Sequence, residues 1–259
     1  MAASEKKRLD LAVLDRGLAP SRQSARALIM SGKVLVNRKP IDKPGVAVAD
    51  KDEILVKGDD NPFASRGGLK LKAALKAFKV HVTDKICLDV GASTGGFTDC
   101  LLQHGARKVY AVDVGYGQLA WKLRQDPRVT VFERTNIRHL PFEAVGEPVD
   151  LVTIDVSFIS LRIVIPAILQ FMKANAAVLA LIKPQFEVGK GQVGKGGVVR
   201  DPRLHQQVFD ELTVFFSRIP LSVSGVIDSP VLGPKGNKEF FIFLRRPPAD
   251  QGISNASLL

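Results

Sequence analysis

Two different hydrophobic rhythms divide the chain. In residues 6–58, Leu9, Leu11, Leu14 and Leu18 recur at roughly helical spacing, and Gly17 closes that run. Pro20-Ser21 opens a second helix, with Ser21 as its N-cap, Ala25, Leu28 and Ile29 on its apolar face, and Gly32 as its stop. Val34-Leu35-Val36 reads as a short strand, Asn37-Arg38-Lys39-Pro40 as a turn and residues 53–56 as a further strand. The segment is expected to form a unit of its own, two short helices leading into a small β element. Residues 59–65 are polar and turn-rich and read as a linker.

From residue 84 the rhythm changes. Apolar runs at 86–90, 108–112, 129–132, 151–154, 178–182, 222–227 and 240–244 read as strands, with helices in most of the gaps. Such alternation demands a mostly parallel sheet. The last two runs are joined by a Pro/Gly-rich loop without a helix, so they are expected to pair as an antiparallel hairpin. The fold class expected is α/β: a seven-stranded, mostly parallel, Rossmann-like domain over 66–246 behind a small α+β domain. Residues 247–259 are polar and read as a disordered tail.

Charge adds a partner. The 259 residues carry 37 Lys+Arg against 26 Asp+Glu, a net charge of +11, which attracts polyanions. The excess is concentrated early: residues 1–43 hold ten Lys/Arg and four Asp/Glu. Arg8, Arg22, Arg26, Lys33, Arg38 and Lys39 form a candidate phosphate-contact surface, and helical spacing puts Arg22 and Arg26 on one face. The residues Arg8-Leu9-Asp10, Ser21-Arg22-Gln23-Ser24-Ala25-Arg26 and Ser31-Gly32-Lys33-Val34-Leu35-Val36-Asn37 resemble an S4-type RNA-binding domain. That resemblance implies recognition of structured RNA through shape and backbone contacts.

Other classes recede. No apolar run reaches the roughly 18 residues of a membrane span, and the N-terminus lacks the apolar stretch of a signal peptide. Cys87 and Cys100 lack metal-ligand spacing and read as buried free thiols of a reducing compartment. A cytoplasmic protein without a metal, a membrane or a required protein partner is expected.

The sequence Asp89-Val90-Gly91-Ala92-Ser93-Thr94-Gly95-Gly96-Phe97 joins a strand to a helix start. Glycines there let the backbone approach a ligand closely, but the spacing is not that of dinucleotide enzymes. About 20 residues on, Asp113 ends the next strand, where an acid accepts hydrogen bonds from ribose hydroxyls. Asn136, after the third strand, is a candidate for an adenine edge. Asp89, Gly91, Ser93, Gly95, Gly96, Phe97, Asp113 and Asn136 are the candidate cofactor residues, and S-adenosylmethionine (SAM) is the expected cofactor.

Four polar residues stand at strand edges or just before the sheet: Lys70, Asp155, Lys183 and Glu239. A ribose 2'-hydroxyl is a poor nucleophile while protonated, so an enzyme that methylates it must align it and help remove its proton. Lysines held by carboxylates suit that task. The seven strands with their terminal hairpin resemble class I methyltransferases, and the four residues resemble the Lys-Asp-Lys-Glu tetrad of FtsJ-type 2'-O-methyltransferases. Ser65-Arg66-Gly67-Gly68-Leu69-Lys70-Leu71, the glycine loop and Lys183-Pro184-Gln185-Phe186-Glu187 are similar to the TlyA (haemolysin A) family. This resemblance, over almost the whole chain, implies SAM-dependent 2'-O-methylation of cytidine in ribosomal RNA. On this reading Lys183 activates the hydroxyl, Asp155 orients Lys183, and Lys70 and Glu239 position the ribose. Arg66 and the basic, glycine-rich stretch around Lys190 and Lys195 would grip RNA.

Three rivals remain at this point. A membrane-lysing protein needs an amphipathic or spanning segment, which the chain lacks. An inactive RNA-binding protein conflicts with an intact glycine loop. The third is a methyltransferase for another atom: an amino-group enzyme usually has Asn/Asp-Pro-Pro-aromatic after the fourth strand, where this chain has Asp155-Val156-Ser157-Phe158. A cytosine-carbon enzyme would need a cysteine there.

Overall fold

The computed structural model describes residues 6–56, 61–189, 191–194 and 196–248. Lys190, Lys195 and most of the expected tail lie outside the described residues. The chain separates into two compact units, residues 1–60 and 61–259.

The first unit holds β1 (Lys6–Arg8), α1 (Leu9–Asp15), α2 (Arg22–Met30), β2 (Val34–Val36), β3 (Lys39–Ile41), β4 (Ala47–Ala49) and β5 (Ile54–Val56). β3, β2 and β5 form an antiparallel sheet, and β1 pairs with β4. The core gathers Leu9, Ala12, Val13, Ala25, Ile29, Val34, Val48 and Ile54. Two readings are corrected here. The buried stripe of α1 is Leu9, Ala12 and Val13, while Leu11 and Leu14 are half-buried. The expected four-residue turn is a hairpin with only Asn37 and Arg38 at its tip, both left-handed (φ 50° and 67°), and Lys39 and Pro40 belong to β3. β1 and β4 went unforeseen because three-residue strands carry no period, and β1 is wholly exposed.

The second unit starts with α3 (Gly67–Ala77). It then alternates β6 (Ile86–Val90), α4 (Gly96–Gln103), β7 (Lys108–Val112), α5 (Trp121–Arg124), β8 (Val129–Phe132), α6 (Phe142–Val145), β9 (Val149–Ile154), α7 (Leu161–Ile168), β10 (Met172–Ile182), α8 (Pro184–Glu187), α9 (Pro202–Phe216), β11 (Ser222–Asp228) and β12 (Phe240–Arg245). The sheet order is β11-β12-β10-β9-β6-β7-β8. β6 to β10 run parallel, and β12 lies antiparallel between β10 and β11. This is the seven-stranded, mostly parallel sheet with a terminal hairpin that the pattern predicts. β10 is longer than read, because its first residues include polar Lys173 and Asn175 before a register shift.

The central strands are apolar on both sides, as burial between two helical layers requires. Leu88, Val152 and Val178 face one core with α7 and α9, and Cys87, Leu151 and Leu179 face the other with α3 and α4. Among the described residues, no helix is long and apolar enough to cross a membrane.

Ser21 accepts a hydrogen bond from the Ser24 amide (3.2 Å) at the N-terminus of α2, a helix of nine residues with no acidic side chain in its first turn. Ser21→Ala is expected to destabilise the first unit by about 1 kcal/mol. Urea unfolding followed by a probe in that unit measures it, and an unchanged midpoint would remove the cap's role.

Candidate active site

Parallel strands end at one edge of a sheet, and the polar candidates collect there. Gly91 follows β6, Asp113 follows β7, Asp155 follows β9 and Lys183 follows β10. Because β12 is antiparallel, its start brings Glu239 to the same edge, with Phe240 opposite Ile182.

The glycine loop is shaped by contacts. Gly91 is left-handed (φ 85°), and any Cβ there would strike the Asp155 carbonyl oxygen, so only glycine lets strands β6 and β9 meet this closely. Gly95 (φ 94°) turns the chain into α4 with Leu119 and Leu123 packed against it. Ser93 is also left-handed, and its amide donates to Asp113 Oδ2 (2.7 Å). The Gly115 amide donates to Asp113 Oδ1 (2.6 Å). Each carboxylate oxygen still has a second lone pair to offer.

Two cavities open along this edge. One, of about 500 Å³, is lined by Gly91, Ser93, Asp113, Gln118, Asn136 and Asp155, among others. The other, of about 370 Å³, is lined by Arg66, Lys70, Gly96, Phe97, Asp155 and Lys183, among others. Gly91, Ser93, Asp155 and Ser157 belong to both, so the cavities meet at the end of β9.

At that junction Lys183 Nζ lies 2.6 Å from Asp155 Oδ1 and donates to Ser157 Oγ (3.0 Å). Asp155 Oδ1 meets the lysine as a charge, without an aligned hydrogen bond. Lys70, on α3, reaches Glu239 Oε2 at 2.5 Å. Lys70, Lys183 and Glu239 are all buried. Glu239 Oε1 is buried with no hydrogen-bond partner among the described residues, and a side chain at Gly233 would push into that carboxylate. The tetrad is thus two lysine–carboxylate pairs.

Some candidates stand elsewhere. Asp89 and Gly95 line neither cavity. Asp89 is fully buried beneath the loop, where it accepts from Thr98 Oγ1 (2.7 Å) and Thr153 Oγ1 (3.0 Å) and ties β6 to α4 and β9. Phe97 lines the smaller cavity but is mostly covered, stacked on Phe241 at 5.9 Å. Asn136 lines the larger cavity while its Oδ1 caps a short turn by accepting from the Arg138 amide. Arg8, Arg22, Arg26, Lys33, Arg38 and Lys39 all belong to the first unit. Arg66 is exposed on the smaller cavity's wall.

The sequence reading passed over the residues that fasten this edge. Ser157 was missed because a loop serine carries no pattern. Glu187 is buried under α7, accepting from Ser160 Oγ (2.6 Å) and the Leu161 amide (2.8 Å), and burial raises its pKa. Phe186 holds the otherwise exposed, left-handed Phe158 at 5.0 Å. These contacts join the loops after β9 and β10. Cys87 and Cys100 are buried free thiols, and burial pushes both up to about 12. Among the described residues, no group of three or more His, Cys, Asp or Glu is placed to hold a metal.

The model of the FtsJ-like methyltransferase family matches residues 63–246, and that of the S4 domain matches residues 7–54. The chain is 50% identical over 252 residues to the Mycobacterium tuberculosis protein named 16S/23S rRNA (cytidine-2'-O)-methyltransferase TlyA, covering 97% of this chain and 94% of the relative. It is 40% identical to a Brachyspira hyodysenteriae protein named Hemolysin A, over 90% of this chain and 97% of the relative. A solved Streptococcus thermophilus structure with a hemolysin name superposes with a TM-score of 0.74 at 43% identity, covering 95% of this chain and 90% of that one.

Burial pushes Asp89 from 3.8 up to about 7, against the opposing hydroxyl bonds from Thr98 and Thr153. The folded state therefore keeps a proton that the unfolded chain releases, and this group's contribution to stability falls as pH rises from about 4 to about 7. The loss is on the order of 4 kcal/mol. Asp89→Asn does not titrate and should lose that component. Unfolding free energies of the two proteins, measured from pH 4 to 7.5, are expected to draw together or cross as pH rises; a constant difference would rule the titration out.

Proposed function

The chain belongs to the FtsJ-like methyltransferase family, and on that premise we propose that it transfers the methyl group of SAM to the ribose 2'-hydroxyl of a cytidine in ribosomal RNA. The observation that carries this reading is Lys183, paired with Asp155 and Ser157 where the two cavities meet.

The larger cavity suits the cofactor. A glycine turn lets a ligand close to the backbone, a half-buried carboxylate with spare lone pairs suits a ribose diol, and an amide side chain suits an adenine edge. Gly91, Ser93, Asp113 and Asn136 would hold SAM there, with Asp89 and Gly95 supporting the loop from beneath. Bound SAM supplies an electrophilic methyl on a sulfonium centre.

The smaller cavity takes the target nucleotide, with Arg66 at its wall for a phosphate. Lys183 Nζ, once it has given up its own proton, accepts that of the 2'-hydroxyl as the oxygen takes the methyl, and Asp155 balances the ammonium so formed. Ser157 takes one donor direction of that nitrogen, Asp155 balances its charge, and the remaining directions are left for the substrate. Lys70 lines that cavity and would help fix the ribose, while Glu239, buried outside the lining, holds Lys70 in place. The first unit docks the RNA through its basic residues, and Lys190 and Lys195 would add grip. Substrate and enzyme meet in the cytoplasm, where ribosomes are. The naming of the mycobacterial relative makes the RNAs of both subunits the substrates to try.

Ribosomal subunits lacking the modification, incubated with methyl-labelled SAM, are expected to take label at a cytidine 2'-oxygen. Lys183→Ala should lower that transfer by about 10²- to 10⁴-fold while SAM still binds. A normal rate in the variant would dismiss Lys183 as the activator, and label on a base would dismiss ribose chemistry.

A further inference from the structure

We propose that Asp10 is a positioning residue for RNA, one buried carboxylate that holds Arg8 and Arg22 in place for backbone phosphates before any RNA arrives. The proposal rests on the RNA-directed reading of the first unit given above.

Asp10 is the one charged side chain that is fully buried among the described residues of that unit. Both its oxygens are used. Oδ1 accepts from Arg8 Nε (3.0 Å), and Oδ2 accepts from Arg8 Nη2 (3.2 Å) and Arg22 Nε (3.0 Å). One guanidinium comes from β1 and the other from α2, so the pairing brings arginines fourteen positions apart in sequence onto one acid. Stability alone gives little reason for such a device, since well-packed apolar residues often replace a buried ion pair without loss.

The arginines are not consumed by the pairing. Their side chains are 51% and 52% exposed, and each keeps N–H donors beyond those given to Asp10. The trio still carries a net positive charge. Gly45 packs beside the Arg8 guanidinium, with space for a Cβ only 3.4 Å from Nη1. Two long side chains are thereby held in a fixed relation at the surface, and the entropy of ordering them is spent in folding rather than in binding. Hydrogen bonds from both arginines also keep the Asp10 carboxyl low, at about 2, so the clamp stays charged at neutral pH.

The two available accounts of Asp10 differ in sign. If it merely adds negative charge near RNA, Asp10→Asn should tighten binding, since it removes a repulsion from phosphate. If it positions the arginines, Asp10→Asn should weaken binding by about ten-fold, the cost of ordering one or two long side chains. The full-length protein would be titrated into fluorescent deproteinised small-subunit rRNA at fixed 0.1 M salt. Ile54→Val, which trims the same unit's core on β5 and makes no contact with the trio, serves as the control and should bind as wild type does. The Arg22→Ala loss should also be smaller in the Asp10→Asn background than in wild type.

A second measurement needs no variant. In the free protein, nitrogen relaxation of the Arg8 and Arg22 Nε groups should report rigid side chains, and that of Arg26 a mobile one. Equal or tighter RNA binding by Asp10→Asn, or equal mobility of all three arginines, would overturn the proposal while leaving the methyltransferase reading intact. Failure of wild type to bind the RNA would overturn both the positioning role and the RNA reading of this unit, even if SAM binding persists.

Discussion

The parallel register of β6, β7, β9 and β10 is the constraint on which the rest depends. It delivers four strand ends to one edge, where backbone groups have left the ladder and side chains are free to face a ligand. The antiparallel β12 completes the set, since only a reversed strand between β10 and β11 lets a residue that precedes a strand join residues that follow strands. Glu239 and Lys183 are 56 positions apart in sequence, yet the Phe240–Ile182 pairing makes them neighbours of one register.

That edge then has to carry buried charge. A lone buried ammonium or carboxylate is strongly disfavoured, and the fold answers by pairing: Lys183 with Asp155, Lys70 with Glu239. Each pair draws on two separate elements, so the charges also act as fasteners between α3 and β12 and between the ends of β9 and β10. Of the charged residues lining the smaller cavity, Lys183 and Asp155 satisfy one another, and Lys70 is satisfied by Glu239 behind the lining. The Glu187 cap and the Phe158–Phe186 contact extend the same logic outward, holding a loop that contains a left-handed phenylalanine.

Most of the second unit was legible because buried parallel strands write continuous apolar runs, and three of the seven were read to the residue: β6, β7 and β8. The first unit was legible in its helices, where Gly17, Ser21 and Gly32 act through local backbone geometry. β1 and β4 were illegible because their pairing is non-local and their length too short for a period. α3 was illegible although Leu71, Ala74 and Leu75 are spaced for a helix, because two glycines open it and a lysine, Lys70, lies among its buried residues. Asp89 looked like a ligand residue because it starts the glycine motif. Its depth is set by Thr98 and Thr153, one of them on a different strand, and no local pattern encodes that.

The same physical device serves both units at different depths. In the second, acids pair with lysines at the strand ends, where on the proposed function a small misplacement would cost rate. In the first, an acid under the surface aligns arginines toward solvent, where misplacement costs affinity. A lysine offers one compact nitrogen and suits proton chemistry. An arginine offers a planar fork and suits phosphate. On the proposed function, the lysines paired at the sheet edge and the arginines paired on Asp10 each suit the task of their unit, proton chemistry in one and docking in the other.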